Sequence, residues 1–151
     1  MNNSRRVALK TTGAFATLVS LGIITQSQAQ AAVDRTSFQV KTLEDALKAI
    51  GGTAATSDQV SVVAPDIAET GAVAPVGATS KVPNTTEMYL IVEKNPTPLS
   101  AGFMIPAGTV ADVQTRLKMG QSTNVIAVVK ADGKLFSATK ETKVTLGGCG
   151  G

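Results

Sequence analysis

The single cysteine of this 151-residue chain, Cys149, lies two residues before the C-terminus. Its neighbours on both sides have no side chain to bury: Gly147, Gly148, Gly150 and Gly151. Ordering glycine costs more backbone entropy than ordering any other residue. We therefore predict that residues 147–151 form a flexible arm, which spans at most about 17 Å when fully extended. A thiol on a thin, mobile arm indicates covalent carriage of a chemical group into the active sites of other proteins.

Other roles for this cysteine are open at the level of sequence. An exported β-sandwich could use Cys149 for a disulfide between chains, and the tail could also carry an incidental thiol. A thiol oxidoreductase is disfavoured, because the chain has no second cysteine to resolve a mixed disulfide and no cation beside Cys149 to activate it. A terminal Gly-Gly is also typical of cytosolic ubiquitin-like sulfur carriers, but their activation uses ATP, which an exported protein would not meet.

The composition indicates a protein without catalysis of its own. The chain contains no histidine, which excludes His-based acid–base catalysis and a Cys-His dyad within this subunit. One cysteine and scattered carboxylates do not form a soft-metal site. There is also no glycine-rich phosphate loop between a strand and a helix. We predict no catalytic residue, no metal and no cofactor.

The N-terminus has the layout of a bacterial signal peptide. An apolar stretch over residues 14–24 follows a basic section, and small residues at 29–31 form an A-x-A cleavage site. The stretch is shorter than the roughly 20 residues that cross a bilayer, so no permanent anchor is expected. Arg5 and Arg6 match the twin-arginine export motif, although an ordinary signal is the alternative. We predict a signal peptide over residues 1–31 and a periplasmic location.

Removal of the signal leaves a neutral domain. Three of the 14 basic residues lie in the signal, so the eleven that remain balance the eleven acidic residues. Interspersed charges of both signs give no electrostatic footprint for nucleic acid or for an anionic membrane. The roughly 120 remaining residues suffice for one domain, over residues 32–146, with a core of its own.

The pattern of this domain predicts an antiparallel β-sandwich with one short N-terminal helix. Thr42 and Asp45 form a capping-box-like start and Gly51 a C-terminal cap for a helix over Leu43–Ile50. Asp132-Gly133 predicts a hairpin turn. Short β-branched runs with prolines between them supply the strands: residues 59–65, 72–79, 87–94, 99–106, 110–119, 124–131 and 134–146. The run over 110–119 fits a helix or a strand, and we expect 134–146 to form two strand pieces.

The ending KVTLGGCGG, after a twin-arginine-like signal and a β-domain, closely resembles the SoxY family of the bacterial thiosulfate-oxidising system. Further segments support the resemblance: TLEDALKAIGG, PDIAETGAVAPV, VEKNPTPLSAGF, TRLKMGQST and VVKADGKLFSA. The resemblance implies an immunoglobulin-like sandwich that forms a periplasmic heterodimer with a SoxZ-like subunit.

The resemblance also implies a role for Cys149. This cysteine would hold thiosulfate-derived sulfur as an S-thiosulfonate or a persulfide. A haem enzyme would join thiosulfate to the thiol, a hydrolase would release sulfate, and a sulfane dehydrogenase would oxidise the remaining sulfur. The chain itself would be a non-catalytic carrier that serves these partner enzymes.

Overall fold

The structure, a computed structural model, describes residues 36–145. The predicted signal peptide and the predicted arm with Cys149 lie outside the described residues. A 3-10 turn (Thr36–Gln39) is followed by helix α1 (Leu43–Ile50). The strands of the described range are β1 (Ala55–Thr56), β2 (Val60–Val63), β3 (Ile67–Ala68), β4 (Ala74–Ser80), β5 (Thr85–Val92), β6 (Leu99–Met104), β7 (Asp112–Leu117), β8 (Thr123–Ala131) and β9 (Lys134–Val144).

The strands form two sheets that share one core. The larger sheet has the order β1-β9-β8-β5-β6, with β3 also paired to β9, and the smaller sheet has the order β2-β4-β7. Neighbouring strands are antiparallel, except that β1 and β3 run parallel to β9. The prediction of a mainly β sandwich with one short helix is confirmed. No helix within residues 36–145 has the length and hydrophobicity needed to cross a bilayer.

Alternate residues of the central strands fill the space between the sheets, as the period of two along a strand requires. Four of these residues are valines, and the other five are alanine, methionine or leucine: Ala74, Val76 and Ala78 of β4, Met88, Leu90 and Val92 of β5, and Val125, Ala127 and Val129 of β8. All nine are at most 2% exposed. The core is therefore built almost without aromatic side chains.

Helix α1 covers the outer face of the larger sheet. Ala46 and Ile50 of the helix pack on Ile91 and on neighbouring side chains of β6, β8 and β9. Strand β5 is thus buried on both faces, which explains its dense apolar sequence. Both predicted caps are confirmed: the Thr42 hydroxyl accepts a hydrogen bond from the Asp45 N–H at 3.1 Å, and Gly51 ends the helix at φ 131°.

Three further expectations have clear outcomes. The predicted hairpin turn is confirmed, because Asp132 and Gly133 both have the positive φ that a type I′ turn needs, 49° and 73°. Residues 110–119 contain a strand, β7, and no helix. The expected division of residues 134–146 is wrong: β9 is one strand of 11 residues. It stays whole because nine consecutive residues, from Lys134 to Thr142, pair with β8 without a bulge.

Tyr89, the only tyrosine of the chain, lies half-buried on the outer face of the larger sheet. Its ring lies over Gly102, where a Cβ would come within 3.1 Å of two ring carbons. Its hydroxyl donates a hydrogen bond to Glu87, which also pairs with Lys130 at 3.3 Å. Burial, followed by the hydrogen bond and the charge of Glu87, raises the pKa of Tyr89 well above its ordinary range.

We predict that the phenol of Tyr89 titrates at a higher pH in the folded chain than in the unfolded chain. The folded state then binds this proton more tightly, so the free energy of unfolding decreases as pH rises above about 10. Phenolate absorbance measures Tyr89 alone, since the chain has no other tyrosine and no tryptophan. Glu87→Gln is expected to lower the folded midpoint, and circular dichroism confirms that the chain stays folded. Equal midpoints with and without denaturant would contradict the prediction.

Candidate functional site

The described chain ends at Thr145, four residues before Cys149. The described part of the site is its base, which lies at the C-terminal end of β9. The residues predicted from sequence to have a functional role lie outside the described residues: Arg5, Arg6, Gly147, Gly148, Cys149, Gly150 and Gly151. The base itself is held by a set of contacts that we call the anchor, formed by residues 66–71, 119–122 and 143–145.

Strand β3 holds one side of the anchor. Ile67 and Ala68 pair in parallel with Lys143 and Val144. The N–H of Lys143 donates to the carbonyl of Asp66 at 2.9 Å, and the N–H of Thr145 donates to the carbonyl of Ala68 at 3.1 Å. The Thr145 hydroxyl lies 3.3 Å from the carbonyl oxygens of Ala68 and Glu69. The backbone is thus fixed up to the last described residue.

The loop between β7 and β8 holds the other side. The Ser122 hydroxyl accepts a hydrogen bond from the N–H of Val144 at 2.9 Å. The Asn95 side chain fixes this loop, because it donates to the Lys118 carbonyl at 2.7 Å and accepts from the Gly120 N–H at 3.3 Å. Loops from three parts of the sequence therefore meet at the end of β9.

Gly71 makes the close approach at the centre of the anchor possible. Its carbonyl accepts a hydrogen bond from the N–H of Met119 at 2.6 Å. A Cβ at this position would lie 2.2 Å from the Met119 carbonyl oxygen and 2.9 Å from a methyl carbon of Val144. Only glycine fits between the Met119 backbone and the Val144 side chain without a shift of one of them.

Lys140 positions the chain that enters β3. Its ammonium group donates to the Ala64 carbonyl at 2.6 Å and pairs with the Asp66 carboxylate at 3.0 Å. The Asp66 side chain is 88% exposed, so this ion pair contributes little to stability by itself. The bond to the buried Ala64 carbonyl does more, since an unpaired buried carbonyl would be costly.

The arrangement can present a thiol at a limited distance from a rigid base. The four residues from Leu146 to Cys149 reach at most about 14 Å beyond Thr145. Within residues 36–145, no three His, Cys, Asp or Glu side chains are grouped so that they could hold a metal ion. Sequence reasoning missed β3 and the anchor. Their residues lie in three segments that supported the family resemblance, PDIAETGAVAPV, TRLKMGQST and KVTLGGCGG, but the resemblance suggested no contact between these segments.

Comparisons with known proteins agree with this geometry. The family model described as sulfur oxidation protein SoxY matches residues 46–149, a range that includes the cysteine. The solved structure of the sulfur carrier protein SoxY from Chlorobium limicola f thiosulfatophilum matches with a TM-score of 0.63 and 34% identity, over 70% of this chain and 97% of that chain. The search of curated proteins found no match.

A second solved structure shows a likeness of fold alone. A superoxide reductase (neelaredoxin) from Ignicoccus hospitalis matches with a TM-score of 0.50 and 19% identity, over 61% of this chain and 95% of that chain.

We predict that Gly71→Ala lowers the free energy of unfolding by about 1–3 kcal/mol, because the new methyl group overlaps the Met119 carbonyl. Amide hydrogen exchange at Met119 and Thr145 should accelerate. Gly120→Ala is the matched control in the same region, since nothing lies within 4 Å of its added Cβ. Urea unfolding of both variants measures the difference, and an equal effect of the two substitutions would refute the role of Gly71.

Proposed function

The chain belongs to the SoxY family, and we propose that it is a periplasmic sulfur carrier that holds thiosulfate-derived intermediates on Cys149. The observation that carries the proposal is the family match, which extends through residue 149. The anchor supports it, because a carrier needs a fixed base from which the thiol is presented. The glycines on both sides of Cys149 would leave the arm narrow and free to rotate.

The first step of the proposed cycle is an oxidative conjugation. The sulfur of Cys149 and the outer sulfur of thiosulfate form an S–S bond. The thiol proton is released, and two electrons pass to a haem enzyme. The product is the S-thiosulfonate, in which the sulfonate group lies at the far end of the adduct.

The second step is hydrolytic. A partner hydrolase directs water to the sulfonate sulfur, the S–S bond to that sulfur breaks, and sulfate leaves. A persulfide remains on Cys149. A sulfane dehydrogenase then oxidises the outer sulfur to a sulfonate: water supplies three oxygen atoms, protons are released, and six electrons pass to the dehydrogenase. A second hydrolysis releases this sulfonate as sulfate and restores the thiol.

In this proposal the chain positions the sulfur adduct, and its partner enzymes catalyse the reactions. The whole chain lacks histidine, the residue that most often serves in general acid–base catalysis, and the proposal assigns the acid–base groups of the cycle to the partner enzymes. A reach of about 14 Å from Thr145 lets the adduct enter a recessed active site while the β-domain stays at its entrance. A SoxZ-like subunit would complete the carrier, and the predicted signal peptide would direct it to the periplasm.

We predict that the protein isolated from the periplasm of cells grown on thiosulfate carries sulfur adducts on Cys149. Intact mass spectrometry should show added sulfur atoms and sulfonate, which peptide mapping places on the C-terminal peptide and which a reductant removes. The mass also identifies the exported form, since a chain without residues 1–31 confirms the signal. A single unmodified or merely disulfide-linked species would overturn the carrier role and favour the structural alternative.

The matched variant is Cys149→Ser, which keeps the size of the side chain and removes the nucleophilic sulfur. Thiosulfate-dependent respiration is expected to be lost, while the circular dichroism spectrum and the unfolding midpoint stay unchanged. Retained respiration in this variant would also overturn the carrier role.

A further inference from the structure

Strand β7 forms a regular edge of the smaller sheet, whose order is β2-β4-β7. Its six residues pair with β4 without a bulge. Three exposed polar residues, Asp112, Gln114 and Arg116, alternate with the half-buried Val113, Thr115 and Leu117. An unprotected edge of this kind is a template for another strand.

One hydrogen bond determines which backbone groups of β7 face β4 and which face away from it. The N–H of Ser80 donates to the carbonyl of Ala111 at 2.8 Å, so these residues form a hydrogen-bonded pair of the antiparallel ladder. Because such pairs alternate along the ladder, the backbone groups of Asp112, Gln114 and Arg116 face away from β4. The N–H of Asp112 bonds to the Val110 carbonyl at 3.0 Å. Among residues 36–145, no backbone group pairs with the outward groups of Gln114 and Arg116, which can therefore accept a second strand.

The charges on this edge are self-complementary. Asp112 and Arg116 are four residues apart, about 13 Å along a strand, so they do not pair with each other within one chain. In an antiparallel pair of two β7 strands, a two-fold axis at Gln114 places Asp112 of each copy opposite Arg116 of the other. The same register makes Gln114 face Gln114 as a hydrogen-bonded pair. The outward-facing backbone groups and the charges of Asp112 and Arg116 therefore favour the same register between the two β7 strands.

Two other edge strands of the described range, β6 and β2, fit a second copy less well. Strand β6 has a register shift against β5 and carries no charged residue. Strand β2 lies beside β9, where Lys140 bonds to the Ala64 carbonyl that follows it. On the side of β6 and β7, Phe103, Val113 and Leu117 pack on the core but remain partly exposed.

We propose that β7 is the interface of a homodimer, in which two smaller sheets join into one six-stranded sheet through antiparallel β7 strands. The contact is isologous, since each copy contributes the same residues. Strand β7 leads from Leu117 to the anchor at Met119, so the two-fold axis places the two anchors toward opposite ends of the shared sheet. The dimer does not require Cys149, which separates it from a disulfide-linked dimer.

Sedimentation equilibrium of the full chain, in reductant and over a range of concentrations, tests the interface. A reversible dimer is expected for the chain and for Cys149→Ser. Arg116→Asp and Asp112→Arg each place like charges opposite one another twice, which should raise the dimer Kd roughly tenfold to a hundredfold. Combining both substitutions restores opposite charges and should restore the dimer. High salt should weaken the original dimer, because exposed ion pairs are screened.

Each alternative outcome counts against the proposal. A chain that stays monomeric overturns it and leaves the β7 edge to a strand of a different protein. A dimer that dissociates in reductant or in Cys149→Ser is disulfide-linked, which also overturns it. A dimer that survives both single charge reversals uses another surface. Circular dichroism of each variant establishes that the monomer remains folded. None of these results depends on whether Cys149 carries sulfur.

Discussion

The backbone pairing of β9 is the interaction on which the larger sheet and the functional site both depend. One edge of this strand pairs with β8 over nine residues, and the other edge pairs with β1 near its start and with β3 at its end. A shift of one residue in the register of β9 against β8 would turn Phe136 and Ala138 away from the core. The register that buries these side chains is therefore the register that delivers Thr145 to the anchor.

Each face of the larger sheet buries a separate cluster of apolar side chains. One face packs on the smaller sheet, and the other carries α1 and the half-buried Tyr89. Aliphatic side chains on both faces of β5 let a domain with few aromatic residues enclose a core. The helix thus replaces a third sheet layer, and the ends of the sandwich remain available for loops.

Features encoded by neighbouring residues could be predicted from the sequence. The helix and its caps at Thr42 and Gly51 are local, as is the turn at Asp132-Gly133, so their residue types suffice. Strands β1 and β3 were missed because two residues have no period of their own, and each is a strand only through its pairing with β9. The continuity of β9 was missed for the same reason, since its partner β8 keeps it regular.

The anchor shows the same limit at the site. Its backbone–backbone bonds join residues that are 48 to 77 positions apart, such as the N–H of Met119 with the carbonyl of Gly71 and the N–H of Thr145 with the carbonyl of Ala68. These bonds use backbone groups, so no pattern of side chains in the sequence predicts them. The sequence predicts that Cys149 is the reactive group, and this stays a prediction; the residues of the anchor were identified only from the fold.

The anchor also determines how far the proposed arm extends. If residues 143–145 separated from β3, the tether to Cys149 would gain three residues and about 10 Å of reach. The effective concentration of a tethered group falls roughly as the −3/2 power of tether length once the tether exceeds the required span. A longer tether would dilute the thiol at a partner's active site and expose its adduct to more solvent. A rigid strand end and a short glycine-flanked segment are therefore complementary requirements of the proposed carrier.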